Sequence, residues 1–147
     1  MVGLNHAISG ALIAVAVDKP AIALPAALLS HFALDATPHW NYGLKRPFKQ
    51  LAMVLDLTFS LSILLVLSAT LDDSARLIIA GVFLGMLPDA MWLPAIARGE
   101  ASAMNKNTPL HFLRRLHRKL QWCEVSWGWV VEAIWLVGTV IILLRIN

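Results

Sequence analysis

Residues 125–144 read VSWGWVVEAIWLVGTVIILL, an apolar run interrupted by one ionisable side chain, Glu132. A hydrocarbon core about 30 Å thick takes about 20 helical residues to cross, so this run has the length of a membrane span. Two more stretches, residues 50–71 and 75–97, have comparable length and character. Ahead of them lie two shorter apolar segments, residues 3–17 and 21–37, separated by Asp18-Lys19-Pro20, whose charges and proline predict a tight turn. Short spans suit helices shielded by neighbours, or a locally thinned bilayer. The expected fold is all-α: a polytopic membrane bundle of about five transmembrane helices plus one interfacial amphipathic helix, forming a single integral membrane domain over residues 1–147. Segment 3–17 is read as a retained first helix rather than a signal peptide, because no Lys or Arg precedes it and His6 interrupts it.

Composition agrees with a bilayer as solvent. The chain is 59% hydrophobic and 14% charged, against about 25% charged residues in soluble domains. Its net charge of +3 is too small to indicate nucleic-acid binding. A single cysteine, Cys123, excludes an internal disulfide and a thiolate-based zinc knuckle. With the N-terminus cytoplasmic, the inner loops hold Lys45, Arg46, Lys49, Arg98, Lys106, Arg114, Arg115, Arg118 and Lys119. Only Lys19, Arg76 and Arg145 fall outside. The positive-inside rule therefore predicts an N-in, C-out orientation, with Asp72 and Asp73 on the outer side.

The ionisable residues within the apolar segments set this chain apart. One such group at the centre of a span costs about 2.5–3.5 kcal/mol on insertion scales, so each needs a partner or a polar cavity. In the predicted topology His6, His31, Asp35, Asp56, Asp89 and Glu132 all fall in the cytoplasmic half, with His39 just past the end of the second helix. Hydrophobic patterning does not require that coincidence of depth, and a shared site explains it. His31 and Asp35 stand four residues apart, about 40° around a helix, where imidazole and carboxylate can reach one ion. His39 continues the row beyond Pro38. Nitrogen and oxygen donors without thiolate suit Zn²⁺, Mn²⁺ or Fe²⁺. The donors outnumber the four that one tetrahedral zinc uses, so one or two ions are expected. Asp56 or Glu132 is the expected general base or second-metal ligand.

Residues 110–122, LHFLRRLHRKLQW, place Leu110, Leu113, Leu116 and Leu120 at helical spacing among Arg114, Arg115, Arg118 and Lys119. This is the pattern of an interfacial helix that attracts anionic headgroups. Arg114, Arg115 and His117 are its candidate headgroup contacts, and His111 and His117 its candidates for facing the bundle. Several of the six tryptophans fall near predicted span ends, as an aromatic belt does. Gly81 and Gly85 form a small-residue face open to close helix approach, including that of a second copy of the chain.

Together, His6, SHFALDATPHW (residues 30–40), GMLPDAMW (residues 85–92) and the later His-rich basic segment resemble small prokaryotic inner-membrane metal-dependent hydrolases. The HxxxD element is also similar to one in zinc-dependent phospholipases C. The resemblance implies an inner-membrane hydrolase with His6, His31, Asp35, Asp89 and His111 among its ligands. The family pattern often has a second acidic residue where this chain has Met91, and His-Ser where it has His117-Arg118. The leading expectation is a metallohydrolase that cleaves a phosphoester of a lipid or membrane-associated substrate with a metal-activated water. Two alternatives stay open: a proton or divalent-metal transporter using the same polar cluster, and a non-catalytic membrane scaffold.

Overall fold

A computed structural model describes residues 1–40, 46–70, 75–92 and 110–146. Lys45, Asp72, Asp73, Arg98 and Lys106, which entered the orientation argument, lie outside the described residues. The described chain is mostly helical, in agreement with the all-α expectation: α1 (Gly3–Val17), α2 (Pro20–Asp35), α3 (Arg46–Thr70), α4 (Ala75–Met86), a 3-10 helix (Leu87–Trp92), α5 (Leu110–Leu120) and α6 (Gly128–Ile146). Besides helices, the described residues form a two-residue parallel pair, β1 (His39–Trp40) with β2 (Glu124–Val125), in which His39 lies opposite Glu124.

The turn between α1 and α2 forms at Asp18-Lys19-Pro20. Asp18 closes α1 in the left-handed region at φ 47°, and its N–H bonds the Ala14 carbonyl. Pro20 then opens α2, where a proline's missing N–H costs nothing. The helix ends at Asp35, two residues short of the expected 37, because a residue preceding Pro38 is pushed out of the helical region.

The fourth apolar segment also departs from expectation. It was expected as one helix over residues 75–97, but the α-helix stops at Met86 and continues as a 3-10 turn. Pro88 accounts for this: it offers no N–H, and its ring clashes with the preceding turn.

α1 is the central element, packed against α2, α3, α4 and α6. Its contact with α4 is made of small residues: Ala7, Ala11 and Ala14 meet Ile78 and Val82. Gly10 and Gly81 allow the two backbones to touch, since a Cβ at Gly81 would sit 2.5 Å from the Gly10 carbonyl oxygen. The Gly81/Gly85 face is therefore turned toward α1 of the same chain.

Two helical stretches, Ala75–Trp92 and Gly128–Ile146, are long and apolar enough to cross a membrane. α1, α2 and the Leu51–Val66 part of α3 are apolar but shorter.

Candidate metal centre

The packing of α1 brings residues far apart in sequence to one buried place. His6 arrives from the first turns of α1, His31 and Asp35 from the last turns of α2, Asp89 from the 3-10 helix and His117 from α5. The first three and His117 are fully buried, while the Asp89 side chain is 38% exposed, so the cluster opens on its Asp89 side.

His31 Nε2 lies 3.2 Å from Asp35 Oδ2 and 2.9 Å from His117 Nε2. His117 Nε2 is 2.9 Å from the same carboxylate oxygen. Asp89 Oδ1 stands 3.8 Å from His31 Nε2 and 3.7 Å from His117 Nε2. His6 Nε2 approaches the other oxygen, Asp35 Oδ1, at 3.2 Å, and the His6 and His31 rings stack with centroids 3.9 Å apart. Asp35 Oδ1 also receives the N-terminal ammonium at 2.5 Å, and the Gln121 amide donates to Oδ2 at 3.2 Å.

Two overlapping sets of ligand atoms result, each with members within 4.8 Å of one another: His6, His31 and Asp89, and His31, Asp35 and His117. Small side-chain movements would bring either set to the roughly 2.0–2.2 Å bonds of a divalent ion. The donors are imidazole and carboxylate, the chemistry of Zn²⁺ and its neighbours. One further observation fits an ion: His6 Nδ1, fully buried, has no hydrogen-bond partner among the described residues. Unpaired buried polar atoms are costly and rare, and a ligand that accepts their lone pair removes the cost.

Around the cluster the structure supplies orienting contacts. His31 Nδ1–H donates to the Gly85 carbonyl at 2.7 Å. A Cβ at Gly85 would sit 2.5 Å from the His6 carbonyl oxygen, so the bare Cα is what admits α1 here. The Trp92 indole N–H donates to His117 Nδ1 at 3.2 Å. Trp92 is in turn covered by the guanidinium groups of Arg114 and Arg118, 5.5 and 5.8 Å from its ring centre.

The other residues singled out in the sequence stand elsewhere. Asp56 accepts the Gly3 and Leu4 N–H groups at 2.7 and 2.9 Å, capping the start of α1. Glu132 Oε1 accepts Val2 N–H and Trp40 N–H, both at 3.2 Å. His39 is buried in β1, with Nδ1–H on the Thr37 carbonyl. Burial, then the nearby N-terminal ammonium, hold its imidazole below the ordinary range. His111 is half-buried on α5, about 120° around the helix from His117, and its nitrogens join neither ligand set. Arg114 is buried and donates to the Met91 carbonyl through Nε at 3.2 Å and Nη2 at 2.6 Å, whereas Arg115 is exposed.

The sequence left His117 open between a headgroup contact and the bundle interior and gave Trp92 no role of its own, while the structure brings both to the cluster. A signal was present on α5. Arg114, His117 and Gln121 recur at i, i+3 and i+7, a polar stripe that is the inward face, while Phe112, Leu113 and Leu116 point out.

Comparison with protein families, with curated proteins and with solved structures finds no match.

Proposed function

We propose that this protein is a membrane-embedded metallohydrolase that binds a divalent ion, zinc foremost, in the His/Asp cluster and cleaves a phosphoester of a lipid or membrane-associated substrate. The observation that carries the reading is the convergence of His6, His31, Asp35, Asp89 and His117 from four elements on one buried place with a half-exposed edge. A bound divalent ion would lower the pKa of a coordinated water toward neutrality and polarise a phosphoryl oxygen. The cationic side chains of Arg115, Arg118 and Lys119, exposed on α5 beside the cluster, suit an anionic headgroup.

The membrane part rests on apolar side chains that face outward along whole helices. Leu51, Val54, Leu57, Phe59, Leu61 and Leu65 do so on α3, and Ile134, Val137, Ile141 and Leu144 on α6. Exposed apolar surface on that scale calls for lipid or another chain. In the proposed topology all five apolar segments are embedded in an inner membrane, N-terminus cytoplasmic and C-terminus outside.

One observation weighs for an enzyme over a transporter. Thr58, Ser60 and Ser62, the hydroxyls available for a path along α3, donate to the Val54, Asp56 and Thr58 carbonyls of their own helix.

The test uses detergent-purified full-length protein. Near-stoichiometric metal in the wild type, lost with folding retained in His31→Ala, is the expected result, together with metal-dependent turnover of a chromogenic phosphodiester or phosphomonoester. Zinc-loaded protein that turns over neither, yet moves zinc across a vesicle membrane, would replace the enzyme with the transporter.

A further inference from the structure

The two ligand sets share one residue, His31, and the hydrogen bonds around them bear on which set holds the ion. A neutral imidazole has one N–H and one lone pair, and its partners assign them. The Gly85 carbonyl can only accept, so a neutral His31 carries its proton on Nδ1 and its lone pair at Nε2, which faces His117 Nε2 at 2.9 Å and lies 3.2 Å from Asp35 Oδ2. The Trp92 indole can only donate, so His117 Nδ1 is the acceptor and its proton sits on Nε2, 2.9 Å from Asp35 Oδ2. Were His117 to bind an ion through Nε2 as a neutral imidazole, its Nδ1–H would face the indole N–H, two donors 3.2 Å apart. His6 Nε2 meets a carboxylate oxygen, an acceptor, and so bears the proton; its lone pair is at Nδ1, the buried atom without a partner. Both oxygens of Asp35 are already engaged: Oδ1 takes His6 and the N-terminal ammonium, and Oδ2 takes His117 and Gln121, with His31 Nε2 also 3.2 Å away.

Resting on the metal-site reading above, we propose that a single ion is held by His6 Nδ1, His31 Nε2 and the Asp89 carboxylate, with a fourth position open. Three protein ligands and one open position is the arrangement of catalytic rather than structural zinc. Asp35 is then a positioning residue, the carboxylate behind a ligating histidine that fixes its tautomer and ring orientation. Trp92 positions in the same sense, holding His117 so that an N–H and not a lone pair faces the site. With Nδ1 bonded to the Gly85 carbonyl, His31 offers Nε2 alone, and one lone pair limits the pair of sets to one ion.

Zinc is the probe. Full-length protein and single variants are loaded with zinc, freed of excess and assayed for metal per chain. One zinc per chain is expected in the wild type, in His117→Gln, which retains a donor near the Nε2 position, and in Trp92→Phe. Asp35→Asn is expected to keep the ion with roughly 10- to 100-fold weaker affinity. Asp89→Asn, at the half-exposed and most tolerant position, and His31→Gln are expected to lose it. A second readout needs no metal: ¹⁵N spectra of histidine-labelled, zinc-free protein should show His117 protonated at Nε2, and Trp92→Phe should release that preference.

Zinc lost from His117→Gln as completely as from His31→Gln, or an Nδ1–H signature for His117 in the wild type, overturns this assignment alone. Two zinc ions per chain also overturn it and leave the metallohydrolase standing. A wild type that takes up no zinc removes both.

Discussion

Asp56 and Glu132 each accept two backbone N–H groups, and three of those four belong to Val2, Gly3 and Leu4. The first N–H groups of a helix have no partner inside it, and negative charge is stabilised at that end. Two carboxylates from α3 and α6 thereby fix where α1 begins, and His6 follows two residues after Leu4. Both residues act on the cluster through α1: they hold the turn that carries His6. Replacing Asp56 with Ala leaves two part-buried N–H groups unpaired and should cost about 1–3 kcal/mol of stability. Asp56→Asn, which keeps one acceptor oxygen, should recover part of that. Thermal unfolding of the two variants in detergent checks the ranking, and an Asp56→Ala melting curve equal to the wild type would show that this cap does not hold α1. The sequence marked both acids as functional because charge in an apolar segment needs a partner. It could not say that the partners would be backbone amides of α1, because pairing across helices is set by how the helices pack.

At the scale of elements, the contact of α1 with α4 has the tightest tolerance. Gly10 and Gly81 let backbone meet backbone, and one turn further along Gly85 admits the His6 carbonyl. A side chain at either α4 glycine must push α1 away, and overpacking of this kind costs about 1–3 kcal/mol. Gly85→Ala should also loosen zinc binding, since the displaced helix carries His6 and the displaced carbonyl orients His31. Gly81→Ala should lower stability with a smaller effect on the metal. Equal zinc affinity in Gly85→Ala and the wild type would contradict the coupling. The small-residue face itself was legible in GVFLG, but not that its partner would be α1. Pro88 was equally visible, yet its effect was not anticipated: it tightens the chain into the 3-10 turn that presents Asp89 and Trp92. α5 was read by its leucines as a helix lying on a surface. Its polar stripe of Arg114, His117 and Gln121 is the side that docks, and that choice depends on Trp92 being there to receive it.

For the whole molecule, outward apolar faces on α3 and α6 and a polar cluster enclosed behind α1 belong to one arrangement. A helix bundle in lipid gains little from hiding leucine, and must hide or pair its charges. The five apolar segments were legible from length and composition alone, and so was the suggestion that His6, His31, Asp35 and Asp89 share one place. Which donors join, and through which atoms, follows from tertiary contacts. Membranes from cells that express the protein should retain it through alkaline carbonate washing, and release into the wash would contradict a bundle embedded in lipid. The cluster itself is tested most directly by zinc-edge X-ray absorption on the zinc-loaded wild type. A first shell of nitrogen and oxygen at about 2.0–2.2 Å, with two imidazole rings in the outer scattering, is expected. A shell of oxygens alone, without imidazole scattering, would contradict it.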